Sequence, residues 1–294
     1  MIKPFIKWVG GKGQLLEQLE PHFPLEMENY VEPFLGGGSV LLWVLQTRKP
    51  RNVVVSDINP SLINAYVQVR DHLPALIAAL TEHKQKHLSL EGEARIAYYL
   101  SVRAQVPQPG STACAARFIY LNKTCFNGLY RVNQKGQFNV SMGNYAAPEI
   151  FDAAHLEAVS RLLQGVTFRA EGFHAALARV SEMQGCVFVY ADPPYIPLSA
   201  TSNFVGYADG GFDFTQQTAL RDALMQVGAM GHRWAASNSG SPLVKELYAH
   251  ACLCAECVFM YEVSARRAIN CDPSKRGPVA EYVVACLPHC SKTI

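Results

Sequence analysis

The sequence predicts an α/β fold carrying an inserted domain, and three observations predict it. Apolar, β-branched strands alternate with helical patterns at both ends of the chain. A glycine-rich turn joins an early strand to the helix that follows it. Between about residues 60 and 147 a helical segment and a hairpin pattern interrupt the alternation. The expected division is therefore residues 1–59 with 148–294 as the main domain, and 60–147 as the insert.

Taken in order, Tyr30-Val31-Glu32 reads as a short strand that stops at Pro33 and the turn Gly36-Gly37-Gly38. Ser39 opens an apolar run, Val40 through Leu45, at helical spacing. Val53-Val54-Val55 is a buried strand ending at Asp57. Beyond Asn59-Pro60 the period becomes helical through Leu80. A polar helical stretch then runs to Ala104 and breaks at Val106-Pro107-Gln108-Pro109-Gly110. Residues 113–121 suit another helix, and residues 129–140 alternate around Gly136, which predicts a β-hairpin. Alternation resumes after Pro148, with strands expected at 187–190, 233–237, 255–263 and 281–287.

Composition narrows the class. The chain has 294 residues, 49% hydrophobic and 17% charged, which is ordinary for a protein with a real core. No run approaches a membrane span, and Met1-Ile2-Lys3-Pro4-Phe5 lacks the layout of a signal peptide, so a cytoplasmic location is expected. The nine cysteines are an odd number in a chain too long to need a disulfide framework. Cys252, Cys254 and Cys257 contain one C-x-x-C, but no second pair accompanies it, so they read as core residues and no metal is expected. His72, His83 and His87 have partial i,i+4 spacing and read as a polar helix face. The net charge of +2 is small, yet Arg117, Lys123, Arg131 and Lys135 cluster without acids, as do Arg266, Arg267, Lys275 and Arg276 with one. A phosphate-binding surface needs that kind of local excess.

Glu32-Pro33-Phe34-Leu35-Gly36-Gly37-Gly38-Ser39 stands between strand and helix, where glycines let a ligand approach the backbone and the helix start offers free amides. Asp57 follows about 20 residues later, the spacing of a carboxylate that accepts from a ribose diol. This points to an adenosine-containing cofactor without choosing between NAD and S-adenosylmethionine, although G-x-G-x-x-G is not met. Gly10-Gly11-Lys12-Gly13 is not a phosphate loop for ATP, because Gly13 stands where Ser or Thr is required.

Asp192-Pro193-Pro194-Tyr195 directly follows an apolar strand. A carboxylate and a neighbouring backbone carbonyl at such a turn can accept both N–H groups of a planar exocyclic amine and turn its lone pair toward an incoming methyl group. Prolines fix the carbonyls, and Tyr195 can stack on a base. Positioning then carries most of the rate, and the base must leave the duplex to arrive there.

The chain resembles the Dam family of DNA adenine methyltransferases in the alpha-class motif order. The resemblance rests on Phe5-Ile6-Lys7-Trp8-Val9-Gly10-Gly11-Lys12, the glycine loop 32–39 and Asp57-Ile58-Asn59. It continues through Tyr120-Leu121-Asn122, Asn127-Gly128-Leu129-Tyr130-Arg131, Gly136-Gln137-Phe138-Asn139-Val140 and residues 192–204. It implies a Rossmann-like S-adenosylmethionine-dependent fold with a mixed sheet and a target-recognition insert, acting on N6 of adenine in double-stranded DNA. Asp192, Pro193, Pro194 and Tyr195 are then catalytic. Trp8, Gly10, Lys12, Glu32, Phe34, Gly36, Gly38, Asp57, Glu171 and Asp192 hold S-adenosylmethionine. Lys7, Phe126, Asn127, Leu129, Arg131, Ser141, Tyr145, Arg266 and Arg267 face DNA. Arg131 suits guanine O6 and N7, and Phe126 sits at the family's wedging position. Phe126 and Ser141 depart from the family's usual tyrosine and proline, so the expected target is GATC or a related short motif. Two other readings stay open at this point: a methyltransferase acting on RNA or a protein amide, and a DNA-binding module without activity.

Overall fold

The computed structural model describes residues 1–196, 212–249, 258–266 and 278–286. In chain order the elements are α1 (Leu16–Leu19), β1 (Asn29–Glu32), α2 (Ser39–Thr47), β2 (Asn52–Asp57), α3 (Pro60–Asp71), α4 (Leu73–Ser89), α5 (Gly92–Ala104) and α6 (Thr112–Thr124). There follow α7 (Ala153–Leu162), β3 (Val166–Ala170), α8 (Phe173–Ala178), β4 (Val187–Ala191), α9 (Phe214–Ala229), β5 (Arg233–Ser239), α10 (Pro242–Ala249), β6 (Val258–Arg266) and β7 (Pro278–Cys286). The fold is α/β, as the alternation predicts, and its sheet is mixed, as the resemblance implies.

The chain forms two compact units, one of residues 1–11, 36–47 and 59–170, the other of 12–35, 48–58 and 171–294. The second unit carries six strands of the sheet in the order β2-β1-β4-β5-β7-β6; β3 is counted with the first unit. β2, β1, β4 and β5 run parallel, and β7 lies antiparallel to both β5 and β6. All four residues of β1 and all five of β4 are buried, as parallel strands covered on both faces must be. The chain leaves β1 toward β2 on one side and later returns to β4 on the other. That reversal makes the carboxyl ends of β1 and β4 a topological switch point, where open α/β sheets bind ligands. Glu32 ends the first of these strands and Asp192 follows the second. Behind them Val189, Leu220, Leu224, Trp234, Val244 and Val284 form a dry core. Each such side chain contributes about 1.5–3 kcal/mol by leaving water.

In the first unit, helix starts follow their capping residues. The Asn59 side chain accepts from the Ser61 and Leu62 amides, with Pro60 at the first helical position of α3. The Ser111 hydroxyl accepts from the Cys114 amide at the start of α6. Tyr66, Tyr99 and Tyr120 are fully buried here.

Three sequence expectations change. The polar helical stretch expected to Ala104 is interrupted: α4 ends at Ser89 and α5 begins at Gly92, with Leu90 and Glu91 extended between them. His87 is buried and His83 stacks on Tyr120 at 4.9 Å, so these two histidines face inward rather than forming a polar face. His87 and Tyr120 are hydrogen-bonded at 3.0 Å, and burial lowers the pKa of both imidazoles. The expected hairpin is a turn closed by the single bridge Val132–Phe138. Asn133 explains the short ladder: its side-chain oxygen accepts from the Lys135 and Gln137 amides, an alternative to strand pairing. Gly136 takes the left-handed position in that turn at φ +73.

Candidate active site

In the second unit, the turn after β4 is fixed from several sides. The Gln217 amide on α9 donates to the Pro194 carbonyl at 2.7 Å. The Ile196 amide donates to Asn238 Oδ1 at 3.2 Å, and the Ser239 hydroxyl donates to the Ile196 carbonyl at 2.6 Å. Asn238 and Gln217 are themselves joined at 3.0 Å, so strand β5 and helix α9 act on the turn together.

Asp192 is held at one oxygen. Lys12 Nζ lies 2.8 Å from Asp192 Oδ2, with the lysine 5% exposed. The other oxygen, Oδ1, is buried and has no hydrogen-bond partner. Burial raises the Asp192 pKa above the ordinary carboxylate value; the Lys12 charge opposes that rise and Glu281 adds to it. A buried acceptor left unsatisfied costs about 1–3 kcal/mol, so it marks a place where a donor from outside the chain belongs.

The Tyr195 hydroxyl donates to Glu281 Oε2 at 2.7 Å, and Lys12 Nζ stands 4.7 Å from the centroid of its ring. Burial pushes this phenol well above its usual pKa, with the Asp192 and Glu281 charges acting the same way, so Tyr195 remains a neutral donor. Glu32 is 2% exposed and accepts from the Tyr30 hydroxyl at 2.7 Å. Burial holds its carboxyl well above the usual range, against the Tyr30 hydrogen bond and with the help of Asp192 and Asp57. Asp57 ends β2 half-buried. Phe34 stacks on Phe173 at 5.8 Å and meets Phe212 edge-on at 5.6 Å. Glu171 is paired with Arg179, whose Nε and Nη2 lie 3.2 and 2.8 Å from its two oxygens.

In the first unit, the Trp8 ring stacks against Tyr130 at 5.8 Å. A Cβ added at Gly37 would stand 2.9 Å from Trp8 Cβ, so the glycine loop closes onto that residue only without side chains. Gly10 and Gly36 both have positive φ. Asn122, buried, ties three segments: it accepts from the Lys7 amide at 2.8 Å and donates to the Lys7 and Gly128 carbonyls at 2.7 and 3.2 Å. Lys7 Nζ lies 4.5 Å over the Tyr145 ring. Phe126 is 54% exposed and Asn127 adopts φ +54, so the turn presents an aromatic ring to solvent. Leu129 and Arg131 are exposed beside it, and Arg131 Nε donates to Asn139 Oδ1 at 2.8 Å. The Ser141 carbonyl accepts from the Phe126 amide at 2.9 Å.

The sequence-predicted residues thus fall into two groups. Lys12, Glu32, Phe34, Asp57, Glu171 and Asp192 through Tyr195 belong to the second unit. Lys7, Trp8, Gly10, Gly36, Gly38, Phe126, Asn127, Leu129, Arg131, Ser141 and Tyr145 belong to the first. Arg266 ends β6, whereas Arg267 and the cysteines 252, 254, 257 and 271 lie outside the described residues. Among the described residues no cluster of histidine, cysteine and acid suits a metal ion, and no helix is long and apolar enough to cross a membrane. Sequence reasoning passed over Gln217, Asn238, Ser239 and Glu281. The signal for two of them was there: Ser237-Asn238-Ser239 is a polar run at the end of an otherwise apolar strand.

Residues 8–269 match the family model of D12 class N6 adenine-specific DNA methyltransferases. The chain is 38% identical over 286 residues to the type II methyltransferase M.MjaIII of Methanocaldococcus jannaschii, covering 94% of this chain and 95% of that one. It is 37% identical to the type II methyltransferase M1.LlaDCHI of Lactococcus lactis, covering 96% and 95%. It is 34% identical over 291 residues to a DNA adenine methylase of Vibrio cholerae, covering 98% of both chains.

Proposed function

The chain belongs to the D12 class N6 adenine-specific DNA methyltransferases, and from that premise we propose a site-specific reaction. The methyl group of S-adenosylmethionine passes to N6 of an adenine flipped out of double-stranded DNA, within GATC or a related short motif; the sulfonium S–C bond breaks to leave S-adenosylhomocysteine, and N6 gives up one proton to solvent. The observation that carries this reading is the Asp192 carboxylate: one oxygen is fixed by Lys12, and the other is buried without a partner.

Asp192 Oδ1 accepts one N–H of the target amine. The second N–H goes to a neighbouring backbone carbonyl of the turn, where Gln217 already fixes the Pro194 carbonyl. With both hydrogens held, the nitrogen lone pair points away from the ring, and alignment supplies the acceleration. Tyr195 stacks on the base. S-adenosylmethionine, when bound, supplies a methyl group already activated by its sulfonium.

The residues fit that cofactor. Asp57 offers a half-buried carboxylate at a strand end for a ribose diol, and Phe34 an aromatic face. The glycine loop packs on Trp8 so closely that a Cβ at Gly36 or Gly37 would collide with it, so the loop backbone is bare of side chains there. Lys12, Gly10, Glu32 and Glu171 complete the set assigned to it. Lys7, Phe126, Asn127, Leu129, Arg131, Ser141, Tyr145, Arg266 and Arg267 are assigned to DNA, with residues 60–147 as the target-recognition part and residues 1–59 with 148–294 as the catalytic part. The reaction is placed in the cytoplasm.

The experiment is incubation of methylation-free DNA with the purified protein and S-adenosylmethionine, followed by single-molecule sequencing. N6-methyladenine confined to one short motif, and absent with Asp192→Ala, is the expected result. Methylation that survives Asp192→Ala would overturn the site assignment, and modification at unrelated sequences would overturn the motif.

A further inference from the structure

Glu281 lies on β7, far along the chain from Asp192–Tyr195, yet its side chain reaches the turn after β4. In the sheet it pairs with Ser239 on β5 and Val263 on β6. Ser239 in turn bonds the Ile196 carbonyl. The backbone on both sides of Tyr195 is thereby fixed, through Gln217 at Pro194 and through Asn238 and Ser239 at Ile196. Fixing the backbone does not fix the ring, which still turns about two side-chain bonds. The ring tip is held by the 2.7 Å bond to Glu281 Oε2, and its face by the Lys12 ammonium at 4.7 Å.

We propose that Glu281 is a positioning residue for methyl transfer, holding the Tyr195 ring at the angle at which a flipped base stacks beside Asp192. This rests on the assignment of Asp192 and Tyr195 made above. Glu281 touches neither base nor cofactor; it acts through the phenol. A carboxylate suits the task because a charge-assisted hydrogen bond is shorter and stronger than a neutral one. The same negative charge acts on Asp192, which is also faced by Lys12, by Tyr30 and Glu32 on β1, by Tyr190 on β4 and by Tyr195. Glu281 raises the Asp192 pKa in this surrounding.

The test compares Glu281→Ala, Glu281→Gln, Tyr195→Phe and the Tyr195→Phe/Glu281→Ala double variant in single-turnover methylation of a duplex oligonucleotide, with thermal melts of each protein. Glu281→Ala and Tyr195→Phe are each expected to lower the transfer rate by about 10- to 100-fold with little change in KM for S-adenosylmethionine, since misplacement rather than binding is lost. The double variant is expected to match the single ones, because both remove the same bond. Glu281→Gln, whose amide oxygen still accepts from the phenol, is expected to recover most of the rate. Its acid limb should move to lower pH, as one of the charges raising Asp192 is gone. Losses that multiply in the double variant, or a Glu281→Gln enzyme as slow as Glu281→Ala, would overturn the proposal. Asp192→Ala separates the two levels. Full activity in that variant sinks the site reading itself, whereas an inactive Asp192→Ala beside an unimpaired Glu281→Ala sinks only the role of Glu281.

Discussion

Lys12 Nζ and Asp192 Oδ2 stand 2.8 Å apart, the lysine nearly sealed from solvent and the aspartate mostly so. The pair joins the segment after the first glycine motif to the turn after β4. It also orients the carboxylate so that its second oxygen is the one left open. The lysine compensates a charge that burial disfavours, and it does so without occupying Oδ1, the oxygen proposed to receive the target amine.

Removing that compensation has a defined sign. In Lys12→Met, Asp192 loses the charge that opposes burial, so its pKa rises further. The acid limb of the methylation rate, which requires ionised Asp192, is expected to move to higher pH. Breaking a buried pair costs about 3–5 kcal/mol, so the melting temperature should fall as well. A pH–rate profile from radiolabelled methyl transfer checks the first outcome; an acid limb that stays in place would contradict it.

Glu32 makes a second pH prediction, on stability. Its folded pKa is raised well above the model-peptide range, so the folded state holds its proton more tightly than the unfolded state. Stability from this group is present below the unfolded pKa and declines as pH rises toward the folded value. Glu32→Gln removes the decline while keeping an acceptor for the Tyr30 hydroxyl. The variant is expected to melt higher than the parent at neutral pH, by about 2–4 °C per kcal/mol gained, with the difference vanishing near pH 4.

Gly38 concerns the backbone. It adopts φ +70, and a Cβ there would collide with the Tyr66 hydroxyl, which itself donates to the Gly37 carbonyl at 2.7 Å. Gly38→Ala is expected to cost more than the roughly 1 kcal/mol of left-handed strain alone. Pairing it with Tyr66→Phe should cost less than the sum of the two changes, because the phenol oxygen that clashes is then absent. Denaturant unfolding of the four proteins reads this directly.

The proposed role of Arg131 in target choice is also testable. It is exposed, and its Nε is oriented by Asn139 at 2.8 Å. Arg131→Ala is expected to relax discrimination at one guanine of the target by about 1–3 kcal/mol. Asn139→Ala, which frees the guanidinium without removing it, should lose part of that discrimination. Sequencing of methylated random-sequence DNA measures both; a uniform loss across all sequences would assign Arg131 to phosphate instead.

β2 was legible from its β-branched run and β4 from its apolar one, and Asp57 and Asp192 from their positions at strand ends. Periodicity could not supply the break at Leu90-Glu91, because a helical pattern continues across it. It could not supply the short ladder either, since alternation at residues 129–140 does not register that Asn133 competes for the same amides. His83 and His87 misled for a related reason: polar residues on a helix read as solvated until Tyr98 and Tyr120 are placed beside them. Gln217 and Glu281 lay beyond reach altogether. Their partners depend on strand order, and nothing in local sequence says that β7 enters the sheet next to β5.

That order has a consequence for how the protein is made. β7 follows β6 in the chain yet lies between it and β5, so β6 cannot be seated until β7 has arrived. On a ribosome, every recognisable motif emerges while the place for this strand is still vacant. Such long-range pairing forms slowly. A nascent chain therefore exposes Asp192 and Tyr195 before Glu281, the partner of the Tyr195 hydroxyl, is in place beside them.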